Sequence, residues 1–354
     1  MANTRGYAAF SETGELQPYS FNRRALNATD VQIEILYCGV CHSDIHMAKN
    51  DWGMSVYPLV PGHEIVGRVK STGVDVGRFS PGDLVGVGCM VDACRACSAC
   101  QQNLEQHCEQ GMLMTYGSPD PHGTEEITQG GYASQIVVDQ DFVLRISEKL
   151  EAKAVAPLLC AGITSYSPLK QWQVKSGDRV GVIGLGGLGH MGVKLAVAMG
   201  AEVVLITRSA QKGADAQRLG ATDLLVSTDC AQMEAQAASF DFLLNTIPVE
   251  HDITPYLSLL KLGKTMVVVG AAMTQLNTMP LAFGRKVVAG SLIGGIEETQ
   301  EMLDFCAAHN IVSDVELIAI QDINDAFERV VRSDVKYRFV IDMQSLSDLE
   351  TAQT

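Results

Sequence analysis

The chain has 354 residues, enough for two domains at about 150 residues each and for a sizeable hydrophobic core. Hydrophobic residues make up 47% and charged residues 19%, a balance that excludes a disordered chain. Acidic residues outnumber basic ones 41 to 26, and the formal net charge of −15 repels phosphate backbones, which sets nucleic-acid binding aside.

Residues 1–10 carry no basic start followed by an apolar run, so a cytoplasmic protein is expected. In that compartment clustered cysteines read as metal ligands rather than disulfides. Val31, Ile33 and Ile35 alternate with Gln32 and Glu34, the period of a half-buried strand. Turns at Pro61-Gly62, Pro81-Gly82 and Gly130-Gly131 punctuate the first 150 residues, which read as mostly β.

After about residue 151 the pattern changes. Apolar runs at 179–183, 203–206 and 224–226 alternate with helix-length segments at 190–199 and 212–219, and further strands are expected at 242–244 and 266–269. That alternation predicts βαβ units and a parallel sheet. The weakly charged stretch 180–206 is cut by Gly184, Gly186 and Gly187 after its first four residues, which excludes a membrane span. From Glu297 a helix is predicted to place Met302, Phe305 and Cys306 on one face, and 337–341 reads as a final strand. The expected fold is α/β. A β-rich domain covers 1–154, a doubly wound parallel-sheet domain covers 155–294, and 295–354 return to the first domain.

Cys94, Cys97, Cys100 and Cys108 form C-x2-C-x2-C-x7-C in a loop of small and polar residues. Four thiolates in one short loop suit a tetrahedral structural zinc better than accidental clustering or a redox pair. A nucleic-acid zinc knuckle would have basic neighbours, whereas Asp92, Glu105 and Glu109 surround this lobe with Arg95 as its single cation.

A second set is more dispersed. Cys41 lies in C-H-S-D-I-H, and His63-Glu64 lies in P-G-H-E. Catalytic zinc takes three protein ligands and keeps a fourth position open, so Cys41 and His63 need a distant thiol. Cys160, in L-L-C-A-G-I-T just before the α/β domain, is only slightly favoured by composition. Cys38, Cys89, Cys230 and Cys306 read as small buried hydrophobes. Ser43 and His46 are candidates for relaying a proton from a zinc-bound alcohol. The alternatives are a local turn bond for Ser43 and ordinary surface positions for His42, His46 and His122. A zinc deaminase is excluded, because His63 and Glu64 are adjacent and no proline precedes Cys94.

G-L-G-G-L-G at 184–189 (Gly184, Leu185, Gly186, Gly187, Leu188, Gly189) follows an apolar run and opens a helix-length segment. In that context G-x-G-x-x-G is a dinucleotide cradle. The end of the second strand reads Leu205-Ile206-Thr207-Arg208-Ser209, followed by Lys212, with no carboxylate for a ribose 2′-hydroxyl. Thr207, Arg208, Ser209 and Lys212 therefore point to a 2′-phosphate and to NADP, the alternative being a solvated loop.

Taken together these residues resemble a known family. G-H-E-I-V-G at 62–67, with Gly73 and Val76, is similar to the signature of the zinc-containing alcohol dehydrogenases of the medium-chain dehydrogenase/reductase superfamily. C-G-V-C-H-S-D at 38–44, P-L-L-C-A-G-I-T at 157–164 and G-S-L-I-G-G at 290–295 resemble its cinnamyl-alcohol-dehydrogenase-like, NADP-dependent subgroup. The resemblance implies a GroES-like catalytic domain around an inserted Rossmann domain, two zincs per chain and a homodimer. It implies Cys41, His63 and Cys160 as catalytic zinc ligands, with Glu64 as an exchangeable fourth. Asp44 becomes a partner behind the ligands, and Ser43 and His46 become the proton relay. Ser43, Thr164, Thr246, Gly270, Ser291, Leu292 and Ile293 would line the cofactor, with Arg338 on its pyrophosphate. Leu292 stands where many plant relatives have Phe; Trp52 and Tyr116 are further candidates for the substrate pocket. The implied activity is reversible hydride transfer between NADPH and an aldehyde. A zinc polyol or sugar dehydrogenase is the alternative, and a zinc-bearing nucleic-acid-binding or regulatory protein is the alternative from another class.

Overall fold

The computed structural model describes residues 2–120, 126–270 and 273–346; His122 lies outside them. The chain divides into two units, Met1–Cys160 with Gly294–Thr354, and Ala161–Ile293. The first boundary falls after Cys160 rather than after residue 154. The short helix Ala152–Val155 and the turn Ala156–Leu159 bury their apolar side chains against strands Asp30–Gly39 and Ile65–Thr72, which ties them to the first unit.

The first unit is built on a seven-stranded sheet. Its order is Val315–Ala319, Arg338–Asp342, Asp30–Gly39, Ile65–Thr72, Leu84–Val87 and Leu144–Arg145, with Gln135–Asp139 also paired to Asp30–Gly39. In Asp30–Gly39 the alternation seen in the sequence buries Val31, Ile33 and Ile35 and leaves Glu34 exposed. The C-terminal segment returns to this sheet, where Val340 lies opposite Gly39 and Ile341 opposite Cys38. On the other side of the same strand Cys38 pairs with Ile65. This register brings Glu64 and Arg338 to the two flanks of Gly39, just before Cys41.

Helix Ile296–His309 buries Thr299, Met302, Leu303 and Cys306. Phe305 is not on that face. At 100° per residue, the stripe through 299, 302 and 306 takes in Leu303 instead, and the half-buried Phe305 ring packs on His309 with centroids 4.3 Å apart.

The second unit is a six-stranded parallel sheet in the order Asp223–Val226, Glu202–Thr207, Arg179–Ile183, Phe240–Asn245, Leu260–Val268, Val287–Gly290. Val203, Val204, Leu205 and Ile206 are all buried, as expected of a parallel strand covered on both faces. Ile183, Ile206, Phe240, Leu243, Leu257 and Met266 belong to its core. The helix expected at 190–199 begins earlier, at Gly187, because the glycine turn itself forms its N-terminus. Among the described residues no helix is long and apolar enough to cross a membrane.

Candidate active site

Cys41 is the extended residue preceding helix His42–Ala48, with φ −108° and ψ 155°, and its backbone N–H donates to the Asp44 carboxylate at 2.8 Å. The Pro61-Gly62 turn delivers His63 and Glu64 immediately before strand Ile65–Thr72, and Cys160 follows the buried turn at 156–159. One ligand atom from each of Cys41, His63, Glu64 and Cys160 lies within 4.8 Å of all the others, and all four residues are buried. The Cys41 and Cys160 sulfurs are 4.0 Å apart. Ligands around a tetrahedral zinc are about 3.3–3.8 Å from one another, so this cluster needs little contraction to hold the ion.

The electrostatics of the cluster fit the same cation. A hydrogen bond from the Cys160 thiol comes first in holding Cys41 well below the usual thiol range, and the same bond pushes Cys160 well above it. Burial pushes the Glu64 carboxyl up to about 8, against the opposing pull of Arg338. Arg338 Nη2 lies 2.8 Å from Glu64 Oε1, but the two are poorly aligned, and both carboxylate oxygens of Glu64 lack a hydrogen-bond donor. Two sulfurs, an imidazole and an unsatisfied buried carboxylate form a donor set suited to zinc. Gly39 is required here: a Cβ at this position would sit 1.9 Å from Glu64 Oε2.

Behind the ligands, Nδ1 of His63 is 3.0 Å from Asp44 Oδ1, which leaves Nε2 as the nitrogen free to bind metal. Asp44, expected among the catalytic residues, is fully buried, with its carboxylate on His63 Nδ1 and on the backbone N–H of Cys41. Ser43 Oγ is 3.7 Å from Cys41 Sγ. His46, three residues on along the helix, places Nδ1 2.7 Å from Asp51 Oδ2, and its ring packs near those of Trp52 and His42. Asp51 was not singled out by the sequence, where nothing marks an aspartate in the turn after this helix as a partner of His46. His42 is half-buried beside His46, not an ordinary surface residue. Tyr116 turns its hydroxyl onto Asp44 at 2.7 Å, while Trp52 is substantially exposed.

Two of the four remaining cysteines depart from expectation. Cys38 and Cys306 are buried as expected. Cys89 is half-buried, with its thiol donating to the Leu159 carbonyl at 3.7 Å. Cys230 is exposed, because it opens helix Cys230–Ala235 in polar surroundings directly after Asp229.

The lobe at 94–108 brings the sulfurs of Cys94, Cys97, Cys100 and Cys108 within 4.8 Å of one another. Backbone N–H groups point at three of them: Cys97 N donates to Cys94 Sγ, Cys94 N to Cys108 Sγ and Glu109 N to Cys97 Sγ, at 3.3–3.4 Å. Such donors lower Cys97 to about 6, whereas burial and the neighbouring thiols push Cys100 up to about 12. Arg95 is committed to Asp92 and Asp141, at 2.9 and 3.0 Å, and leaves no basic face. Four converging cysteine sulfurs, three of them accepting backbone N–H donors, fit a closed zinc site.

In the second unit Gly184 has φ +95°, a conformation open to glycine, and a Cβ at Gly189 would lie 2.1 Å from the Gly184 carbonyl. A Cβ at Gly186 would meet nothing within 4 Å, so the space before the helix Gly187–Ala198 is free for a pyrophosphate. Leu185 is buried and Leu188 half-buried beside this turn. Thr246 Oγ1 donates to the Ile183 carbonyl at 2.8 Å, and Gly270 passes close to the Ile247 backbone. Thr207 ends its strand, Arg208 is exposed, and Ser209 caps the turn Ala210–Lys212. Lys212 Nζ donates to the Leu185 carbonyl at 2.9 Å, so a cation stands at the cradle. Thr164 is buried in helix Ala161–Gln171; Ser291 is half-buried, Leu292 exposed, and Ile293 buried at φ +36°. Arg338, expected on a pyrophosphate, is buried in the first unit with Glu64 as its ion partner.

Comparison with known proteins agrees with this geometry. Residues 27–148 match the model of the alcohol dehydrogenase GroES-like domain, and residues 187–308 match that of the zinc-binding dehydrogenases. Aldehyde reductase YahK of Escherichia coli (strain K12) is 52% identical over 349 residues, covering 97% of this chain and 99% of that protein. A cinnamyl alcohol dehydrogenase structure from Sorghum bicolor superposes with a TM-score of 0.94 at 45% identity, over 97% of this chain and 98% of that one. The structure of CAD from Helicobacter pylori, complexed with NADP(H), superposes with a TM-score of 0.91 at 42% identity, over 97% and 99% of the two chains. The GroES-like and Rossmann-type units, the two candidate zinc sites and these likenesses all lead to one assignment: the chain belongs to the zinc-containing alcohol dehydrogenase family, in its cinnamyl-alcohol-dehydrogenase-like branch.

Proposed function

We propose that the chain is a zinc- and NADP(H)-dependent aldehyde reductase that also oxidises primary alcohols in the reverse direction. The observation that carries this reading is the buried convergence of Cys41, His63, Glu64 and Cys160. When bound, zinc supplies a Lewis acid for the carbonyl oxygen and NADPH supplies the hydride. Cys41, His63 and Cys160 would hold the metal, with Glu64 as an exchangeable fourth ligand. Asp44 fixes the His63 tautomer. Ser43 Oγ passes a proton to the substrate oxygen and recovers one through His46, with Asp51 as the outer partner of that imidazole. Cys94, Cys97, Cys100 and Cys108 hold a second, structural zinc. Ten free thiols, most of them placed to hold metal, suit the reducing cytoplasm.

The Gly184–Gly189 turn takes the pyrophosphate, with Thr164, Thr246, Gly270 and Ser291–Ile293 along the cofactor. Arg208, with Thr207, Ser209 and Lys212, reads the 2′-phosphate. A hydrogen bond to a charged group contributes about 1.5–3 kcal/mol, so Arg208→Gln is expected to lower kcat/KM for NADPH about 10–100-fold and to leave NADH nearly untouched. Equal losses with both cofactors would remove Arg208 from 2′-phosphate recognition. The function itself is tested with a panel of aliphatic and aromatic aldehydes against both reduced cofactors, and of polyols against both oxidised ones. Aldehyde-dependent NADPH oxidation supports the proposal, whereas turnover confined to polyols with NAD overturns it.

We further propose a homodimer. Strand Val287–Gly290 is an edge of the parallel sheet, and on the helix Met279–Gly284 just before it Phe283 and Met279 are 80% and 56% exposed. An open edge flanked by apolar side chains is a surface that proteins keep covered. Phe283→Asp is expected to shift the species seen by light scattering from two copies towards one; a wild-type monomer would contradict the pairing.

A further inference from the structure

Asp44 ligates nothing in the cluster, yet five donors converge on its fully buried carboxylate. Oδ1 accepts from His63 Nδ1 at 3.0 Å, Gly62 N at 3.0 Å and Tyr116 Oη at 2.7 Å; Oδ2 accepts from Cys41 N at 2.8 Å and Tyr132 Oη at 3.1 Å. Two donors are the backbones of Cys41 and of Gly62, the residue before His63. The carboxylate therefore ties together the two chain segments that carry the first ligands.

The tyrosines come from elsewhere. Tyr116 follows strand Leu113–Met114 and packs in a cluster with Met47, Leu59 and Ile127, its ring 5.7 Å from that of His63. Tyr132 precedes strand Gln135–Asp139, and its backbone N–H donates to the Pro61 carbonyl at 3.0 Å. Both are buried, and among the described residues each hydroxyl has Asp44 as its hydrogen-bond partner. A carboxylate has about four lone-pair sites, so five donors saturate it and leave one orientation that serves them all.

We propose that Tyr116 and Tyr132 are positioning residues for the catalytic metal: their hydroxyls lock the Asp44 carboxylate so that it holds His63 with Nε2 aimed at the ion. This rests on the metal reading of Cys41, His63 and Cys160 given above. The physical basis is that a ligating imidazole is oriented by the acceptor on its other nitrogen, and loss of such a partner typically lowers metal affinity about 10–100-fold. Without the hydroxyls the carboxylate keeps its backbone donors but regains rotational freedom, which loosens the imidazole.

The test uses zinc-loaded full-length protein, wild type and the variants Tyr116→Phe, Tyr132→Phe and the double substitution. Zinc transfer to a chromophoric chelator is followed as two equivalents, with the four-thiolate lobe as the internal control. Each single variant is expected to weaken the catalytic equivalent about 10-fold, and the double variant further, with the lobe equivalent and the melting temperature of the loaded protein unchanged. Cobalt substituted at the catalytic site is expected to show a shifted visible spectrum in the same variants. Release at the wild-type rate in both single variants overturns the proposal. So does parallel loosening of both equivalents with a lowered melting temperature, the mark of a merely structural role. If the double variant does not fold, the single variants decide alone. A wild-type chain that yields only one equivalent overturns the metal reading itself, an outcome distinct from two equivalents with unaltered release.

Discussion

Cys41→Ser is expected to cut aldehyde reduction by about a thousandfold or more while NADPH still binds. A serine hydroxyl stays protonated at neutral pH, so the substitution removes the thiolate that the Cys160 hydrogen bond stabilises. It leaves His63, Cys160 and the Glu64 carboxylate as an incomplete cage. Lewis-acid polarisation of a carbonyl contributes several kcal/mol to the transition state, and each 1.36 kcal/mol is a factor of ten in rate. The Gly184–Gly189 cradle lies in the other unit and keeps its own backbone geometry, so the dissociation constant for NADPH is expected to stay within about twofold. Steady-state NADPH oxidation and a fluorescence titration read the two halves separately. Wild-type turnover in this variant would refute a catalytic metal at Cys41.

Cys100→Ser is expected to have its large effect on stability. Segment 94–108 contains a four-residue helix, Ser98–Gln101, and a single turn, Glu105–His107, and its buried residues are Cys100, Gln106 and Cys108. With almost no apolar core of its own, the lobe relies on the four sulfurs. Structural zinc contributes folding free energy directly, and a loss of roughly 3–5 kcal/mol corresponds to about 10 °C or more in melting temperature for a domain of this size. Thermal melting with metal analysis checks this: one zinc retained and a midpoint lowered by about 10 °C. An unchanged midpoint with two zincs would contradict the role of Cys100.

What could be read from the sequence was local. The apolar runs at 179–183 and 203–206, the glycine turn between them and the spacing of Cys94, Cys97, Cys100 and Cys108 carry their meaning within a few residues, and each stands in the structure as an element or a cluster. What stayed hidden was assembled by strand pairing across long stretches of chain. Arg338 reaches Glu64 because Val340 pairs with Gly39, a register that spacing does not reveal. Tyr132 reaches Asp44 from a separate turn, and Cys89 meets the Leu159 carbonyl only once residues 156–159 fold onto the sheet. Cys230 shows the opposite failure. Cysteine is usually buried, but the Asp229 cap holds its helix start at the surface.

Zinc counting joined to NADPH oxidation decides whether a catalytic metal sits at Cys41, His63 and Cys160. The purified chain is titrated with a chelator while zinc content and aldehyde-dependent NADPH oxidation are followed together. The expected result is two zincs per chain, with activity falling in step with the first equivalent lost and returning when zinc is restored. Full activity after loss of that equivalent, or an active chain that holds no zinc, would contradict a catalytic metal at Cys41, His63 and Cys160.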